Sequence, residues 1–217
     1  LKIEPNEYDD FKDCVYIKRL MGGEELLKNK LRYVLWLVGV EYNDIIDMPN
    51  VLNRVELCKT KRLCMSDASS RALASTPMTF RDTNNPTRYI AMPIVSSEKR
   101  NYIPMSYLDS GTIPTNQLQT VPNATFYHFG ILTSAMHMAW MRTVCGRLEM
   151  RYRYSASIVY NTFPWPATNE KQRQHIESLA QKVLDVRENY PDLTLAQMYS
   201  PETMPQPLQD AHTALDM

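Results

Sequence analysis

Between Ile131 and Tyr154 the hydrophobic pattern of the chain changes its period at a single glycine. The apolar residues of 131–145 predict a helix, and Gly146 stands where a left-handed C-terminal cap is wanted. Directly beyond it, Arg147-Leu-Glu-Met-Arg-Tyr-Arg-Tyr154 alternates charged and apolar side chains, the period of a strand or extended segment. Helix handing over to strand within one stretch points to an α+β fold.

The rest of the chain extends that reading. Arg32-Tyr-Val-Leu-Trp-Leu-Val38 is β-branched and aromatic and reads as a buried strand. Residues 50–65 read as an amphipathic helix opened by an Asn50 cap, with Arg54, Lys59, Lys61 and Arg62 on its polar face. A short helix over 67–76 is stopped by Pro77. Residues 88–95 and 101–108 read as strands joined by the charged turn 96–100, and Pro93 and Pro104 demote both to edge or bulged strands. Residues 109–123 read as a polar loop and 124–129 as a short strand. The prolines of Tyr160-Asn-Thr-Phe-Pro-Trp-Pro166 close the domain. After them Asn169-x-x-Gln172 can cap a helix whose stripe is Ile176, Leu179, Ala180, Val183, Leu184 and Val186. Tyr190-Pro191 ends it; a helical turn near 195–199 and a helix over 207–216 follow. The expected organisation is a mixed small-sheet-and-helix domain over residues 1–166 and a small all-helical domain over 167–217.

Charge is zero overall but unevenly placed. Residues 51–164 carry 13 Lys/Arg against 6 Asp/Glu, whereas residues 1–50 carry 7 against 10 and residues 165–217 carry 4 against 8. A basic centre between acidic flanks is the footprint of a chain whose middle meets phosphate. No apolar run approaches the ~18 residues of a membrane span, and no secretory leader is visible, so a cytoplasmic location is expected. The opening residue, Leu1, suggests an excised piece. Cys14, Cys58, Cys64 and Cys145 form no C-x-x-C pair, as expected for free thiols in a reducing compartment.

Several chemistries lack their residues. Six glycines form no G-x-G-x-x-G or P-loop, and no H-E-x-x-H, Cys/His cluster or G-x-S-x-G appears. His128 and His137 read as hydrogen-bonded core residues. An enzyme built on His137 and Cys145 is disfavoured, because eight helical residues put them roughly 12 Å apart. A protein-docking module using the Met-rich helix 131–144 is the alternative, and exposure of Met136, Met138, Trp140 and Met141 would favour it.

The segment after Gly146 is more telling. On a strand Glu149 and Arg151 share a face, beside Arg147 and Arg153. A carboxylate among arginines disfavours pure phosphate binding but suits the edge of a G·C pair, where Arg bonds guanine and Glu accepts from the cytosine amine. A surface ladder of ion pairs fits the spacing equally well.

Four strings then resemble one family. They are Phe129-Gly-Ile-Leu-Thr-Ser-Ala-Met-His-Met-Ala-Trp140, Val144-Cys-Gly-Arg-Leu148, Arg153-Tyr-Ser155 and Tyr160-Asn-Thr-Phe-Pro-Trp-Pro166. All are similar to the MmeI-type (type IIL) restriction–modification proteins, single-chain DNA adenine methyltransferases often carrying an N-terminal endonuclease domain. Arg32-Tyr-x-Leu-Trp-Leu and the segment from Arg88 to Pro104 resemble the family's target recognition domain. Ser200-Pro-Glu-Thr-Met-Pro and Ala211-His-x-x-Leu-Asp216 resemble its C-terminal helical domain. The resemblance implies double-stranded DNA as partner and S-adenosylmethionine as the parent's cofactor. The methyltransferase core would lie upstream, since this chain has no Asn/Asp-Pro-Pro-Tyr/Phe motif and no cofactor of its own. It also implies that the pair after Gly-Arg-Leu, either Glu-x-Arg or Lys-x-Asp in the family and here Glu149-x-Arg151, reads one orientation of a base pair. Arg147, Glu98, Arg100 and Asn116 are further base-reading candidates; Arg54, Lys59, Lys61, Arg62 and Arg153 are phosphate candidates.

Overall fold

A computed structural model describes all residues, Leu1 to Met217. In chain order its strands are β1 (Lys2–Ile3), β2 (Ile17–Met21), β3 (Tyr33–Leu35), β4 (Arg88–Pro93), β5 (Val95–Ser96), β6 (Ser106–Asp109), β7 (Thr112–Pro114), β8 (Leu118–Pro122), β9 (Gly146–Leu148) and β10 (Arg151–Arg153). Its helices are α1 (Gly23–Lys28), α2 (Pro49–Leu63), α3 (Ala68–Ala72), α4 (Phe126–Leu132), α5 (Ala135–Val144), α6 (Glu170–Glu188), α7 (Leu195–Met198) and α8 (Gln206–Asp216). Two units are distinguished by their internal contacts. One comprises Leu1–Leu20, Leu31–Asn85 and Gly111–Ile113; the other comprises Met21–Lys30, Pro86–Ser110 and Pro114–Met217. The fold is α+β, and no helix is long and apolar enough to cross a membrane.

In the first unit the strand order is β1-β3-β2-β7. Alternation along β3 and just beyond it sorts side chains to two faces. Leu35 and Leu37 pack with Ile3, Phe11 and Ile45, while Val34 and Trp36 meet Leu20 and Ile113 on the other side. Helix α2 covers the first face with Val51 and Val55, one helical turn apart. Burial of each such aliphatic side chain stabilises the unit by about 1.5–3 kcal/mol. The helix begins one residue earlier than expected: Pro49, with its φ preset and no N–H to satisfy, opens it. Asn50 is not the cap and instead donates to the Asp10 carbonyl at 3.2 Å. Asp67 caps α3, accepting from the Ser69 and Ser70 amides, and the chain tightens into a 3₁₀ turn over Leu73–Ser75.

The second unit holds two small antiparallel sheets, β6-β4-β8 and β5-β10-β9. Strand β4 is central, contrary to the edge position its prolines suggested. Pro93 is its last residue, where the missing N–H interrupts nothing, and Pro104 precedes β6 altogether. Ile94 joins the sheets: its amide donates to the Gln117 carbonyl at 2.9 Å and its carbonyl accepts from the Tyr154 amide at 2.7 Å. Residues 109–123, expected as a loop, contain β7 and β8, whose few apolar side chains made them look like turn.

The expected helix 131–145 is two helices, and the first replaces the strand expected over 124–129. Helix α4 starts at Phe126, the chain breaks at Thr133, and Ser134 accepts from the His137 amide to open α5. Cys145 is extended, so Gly146 caps nothing and leads straight into β9. The alternating segment is a hairpin rather than one strand.

Helices α4, α5, α6 and α8 pack on one face of β4 in a single core that includes Ile90, Met92, Phe129, Met138, Val183 and Leu208. The helices beyond residue 166 therefore share that core with the strands before it. Gly130 permits the approach of α4 to α6: a Cβ there would stand 2.7 Å from the Ile176 Cγ2 and 3.3 Å from the Ala180 Cβ. Asn169 caps α6 as the sequence indicated.

Candidate nucleic-acid interface

The hairpin β9–β10 is anchored at its base and free at its tip. On β10 and just beyond it, Tyr152 and Tyr154 insert into the core while Arg151 and Arg153, alternating with them, stay exposed. The Tyr154 hydroxyl lies 3.0 Å from the His137 Nε2. Leu148 pairs with Arg151, which leaves Glu149 and Met150 as a two-residue turn. Glu149 has φ +57°, a left-handed backbone that costs a non-glycine residue about 1–2 kcal/mol. Its carboxylate accepts from Arg151 Nη2 at 2.8 Å, and both side chains are exposed.

Glu149 and Arg151 thus meet across a turn, not along one strand face. Arg147 is opposite Tyr152 in the register, so it faces away from Arg151 and Arg153. Its guanidinium sits 4.0 Å from the Tyr152 ring centroid and donates to the Met150 carbonyl at 2.9 Å. Glu98 and Arg100 occupy the half-buried turn after β5, where burial lowers the Arg100 pKa. Asn116 is exposed in the turn between β7 and β8.

The phosphate candidates divide. In the first unit Arg54 is ion-paired with Glu7 at 2.5 Å over the Phe11 ring. Arg62 donates to the carbonyls of Leu73, Thr76 and Thr79 at 2.6–2.9 Å. Both guanidiniums are engaged in holding the chain around α2, which their sequence spacing did not reveal. Lys61 is exposed, and Lys59 is exposed with Glu56 4.0 Å away. In the second unit Arg153 is exposed on β10.

Sequence reasoning missed a buried polar cluster. Arg187 Nε donates to the Tyr199 hydroxyl at 2.8 Å and Nη1 to the Met105 carbonyl at 2.7 Å. The same hydroxyl lies 2.9 Å from the His212 Nε2. Burial, then the Arg187 charge, lowers the His212 pKa to about 3; burial alone lowers that of His137 to about 4. Nearby, Asp216 accepts from the Ala135 amide at the start of α5 and from the Tyr102 hydroxyl, both at 2.6 Å. The cluster fastens the C-terminal helices and presents nothing to solvent.

The rival readings lose their surfaces. Met138 and Met141 are each only 1% exposed and Trp140 donates to the Val159 carbonyl, so α5 offers Met136 alone and no docking face. His137 is fully buried against Tyr154 and Phe163, away from any substrate.

A family model described as MmeI, target recognition domain, matches residues 4–167, and one described as MmeI, C-terminal domain, matches residues 168–217. The chain belongs to the MmeI family. It is 42% identical over 202 residues to DNA methyltransferase A of Bacillus subtilis (strain 168), covering 93% of this chain and 23% of that protein. The solved structure of the type IIL restriction-modification enzyme MmeI in complex with DNA is similar at TM-score 0.93 and 43% identity, over 99% of this chain and 30% of that one. This MmeI-family chain thus spans a third or less of either relative. At the paired glycines Gly22-Gly23 the amides are already taken by Glu25 Oε2 at 2.7 Å and Gln117 Oε1 at 3.2 Å.

Proposed function

We propose that this chain reads double-stranded DNA for a site-specific adenine methyltransferase of the restriction–modification type, working in the bacterial cytoplasm. A catalytic domain upstream in the same polypeptide binds S-adenosylmethionine and methylates the adenine, and this chain sets which adenine is presented. Residues 1–166 form the recognition domain in this reading and residues 167–217 its helical buttress.

One observation carries the assignment: the Glu149–Arg151 pair stands exposed at the tip of a hairpin whose base is locked in the core. An exposed ion pair contributes about 0–1 kcal/mol, so exchanging it for base edges costs little. Arg151 then bonds a guanine and Glu149 accepts from the cytosine amine of the same pair. Glu98, Arg100 and Asn116 read other positions in the same proposal, and Lys59 and Lys61 meet phosphates. Arg147 stiffens Tyr152 from the other face. Arg54 and Arg62 keep their internal partners.

The test is an exchange of both charges, Glu149→Lys with Arg151→Asp, in the full-length enzyme. Sequencing of methylated sites should show a changed base preference at one pair and unchanged preferences elsewhere. An unaltered site would remove the pair from base reading.

A further inference from the structure

The hairpin β9–β10 stands on a thin backbone foundation. Its neighbour in the sheet is β5, which pairs with β10 at two residues, Ser96 with Tyr152 and Val95 with Arg153. A two-stranded hairpin is marginal by itself, so side chains must fix the direction in which it leaves the core. Tyr154, directly after β10, is held twice. Its amide donates to the Ile94 carbonyl at 2.7 Å, and its hydroxyl lies 3.0 Å from the His137 Nε2. Tyr154 is 2% exposed and His137 is fully buried.

His137 sits in the first turn of α5, and α5 is itself tied to the chain on both sides of the hairpin. Upstream, Arg142 Nη2 donates to the Asn101 carbonyl at 2.5 Å and the Ile103 amide to the Met138 sulfur at 3.4 Å. Downstream, Trp140 Nε1 donates to the Val159 carbonyl at 3.1 Å, and the Phe163 ring meets the His137 ring edge-on, 4.6 Å between centroids. The imidazole Nδ1 is buried with no partner in the protein. An apolar side chain would fill the same space without stranding a nitrogen. What the histidine adds is a directed bond to Tyr154.

We propose that His137 is a positioning residue for base reading: its bond to the Tyr154 hydroxyl sets the angle at which the hairpin leaves the core, and with it the place of Arg151. The inference rests on the DNA-reading assignment and adds to it a group that touches no DNA. From Tyr154 back to Arg151 the strand forms a lever of about 10 Å. A swing of roughly 10° at its base moves the tip by about 2 Å, beyond the ~0.5 Å that a binding constellation tolerates. The bond at the buried end of the lever therefore decides whether the exposed end meets its base.

The experiment uses the full-length enzyme and duplexes varied at each position of its methylation site. Tyr154→Phe keeps the ring and removes the hydroxyl. It should lower preference about tenfold at the one pair that Glu149 and Arg151 read, leaving other positions as they were. His137→Leu should do the same, and His137→Gln, whose amide can bond that hydroxyl, should restore most of the preference. Val183→Ala opens the same core from α6 and should leave every preference intact. In the DNA-free enzyme the amides of residues 147–154 should exchange about tenfold faster with Tyr154→Phe, and those of β4 no faster. If Tyr154→Phe leaves the preference unchanged, the proposal is overturned, whatever the amides do. Loss spread evenly over the site, or matched by Val183→Ala, would make His137 a packing residue and overturn it too. Failure of the reading itself is separate, because there the Glu149/Arg151 exchange leaves the site unaltered.

Discussion

Arg187 and Arg151 belong to the same unit and carry the same group, yet the fold treats them in opposite ways. Arg187 is buried, its nitrogens fixed by Tyr199 and Met105 and its plane stacked near Phe129. Arg151 is exposed and bonded only to a neighbour two residues away. A buried cation without its hydrogen bonds would be costly, so every partner of Arg187 is built in. The exposed one loses little by changing partners. Charge committed to folding and charge left for a ligand are thus told apart by what surrounds them.

The largest effect should separate the two directly. Arg187→Leu is expected to lower stability by about 2–4 kcal/mol in urea unfolding, since it strands the Met105 carbonyl and leaves the Tyr199 hydroxyl with His212 alone. Arg151→Leu should change stability by no more than about 0.5 kcal/mol. Equal losses would erase the distinction.

The interior cluster should also fail in acid. His212 and His137 titrate in the folded chain near 3 and 4, against about 6.5 when unfolded. Below that value the unfolded chain binds more protons, so stability is complete above about pH 6.5 and falls as pH drops towards 4. The urea midpoint should decline accordingly, and His212→Gln should flatten the decline. A midpoint constant from about pH 7 to 4 would contradict the buried neutral state of both rings.

The smallest effect belongs to the lysines of α2. Lys59→Gln/Lys61→Gln should lower the salt slope of DNA binding by at most about 2 and leave base preference untouched. An altered base preference would move them from the phosphate group to the reading group.

How far the sequence revealed this depended on whether a signal was local. The Asn169–Gln172 cap and the stripe of α6 are contained in one helix, and both stand. The period change at Gly146 located the passage from helix to extended chain, but the hairpin was hidden. Glu149 is not a residue that advertises a left-handed turn, and alternation runs unbroken through it. The division of the Met-rich helix had a sign in Ser134, a capping residue whose hydroxyl accepts from the amide three residues later. Arg54 and Arg62 looked like surface charge because their partners, Glu7 and the carbonyls around Thr76, are 11 to 47 residues away.

The left-handed backbone at Glu149 has a consequence for exchangeability. Every unbranched L side chain at that position bears nearly the same conformational penalty, so replacing Glu by Lys or Gln leaves the turn energetically where it was. Only Gly, Asn or Asp would relax it, and none reproduces the long carboxylate. The position behaves as an interchangeable socket: its occupant can be altered without renegotiating the fold beneath it.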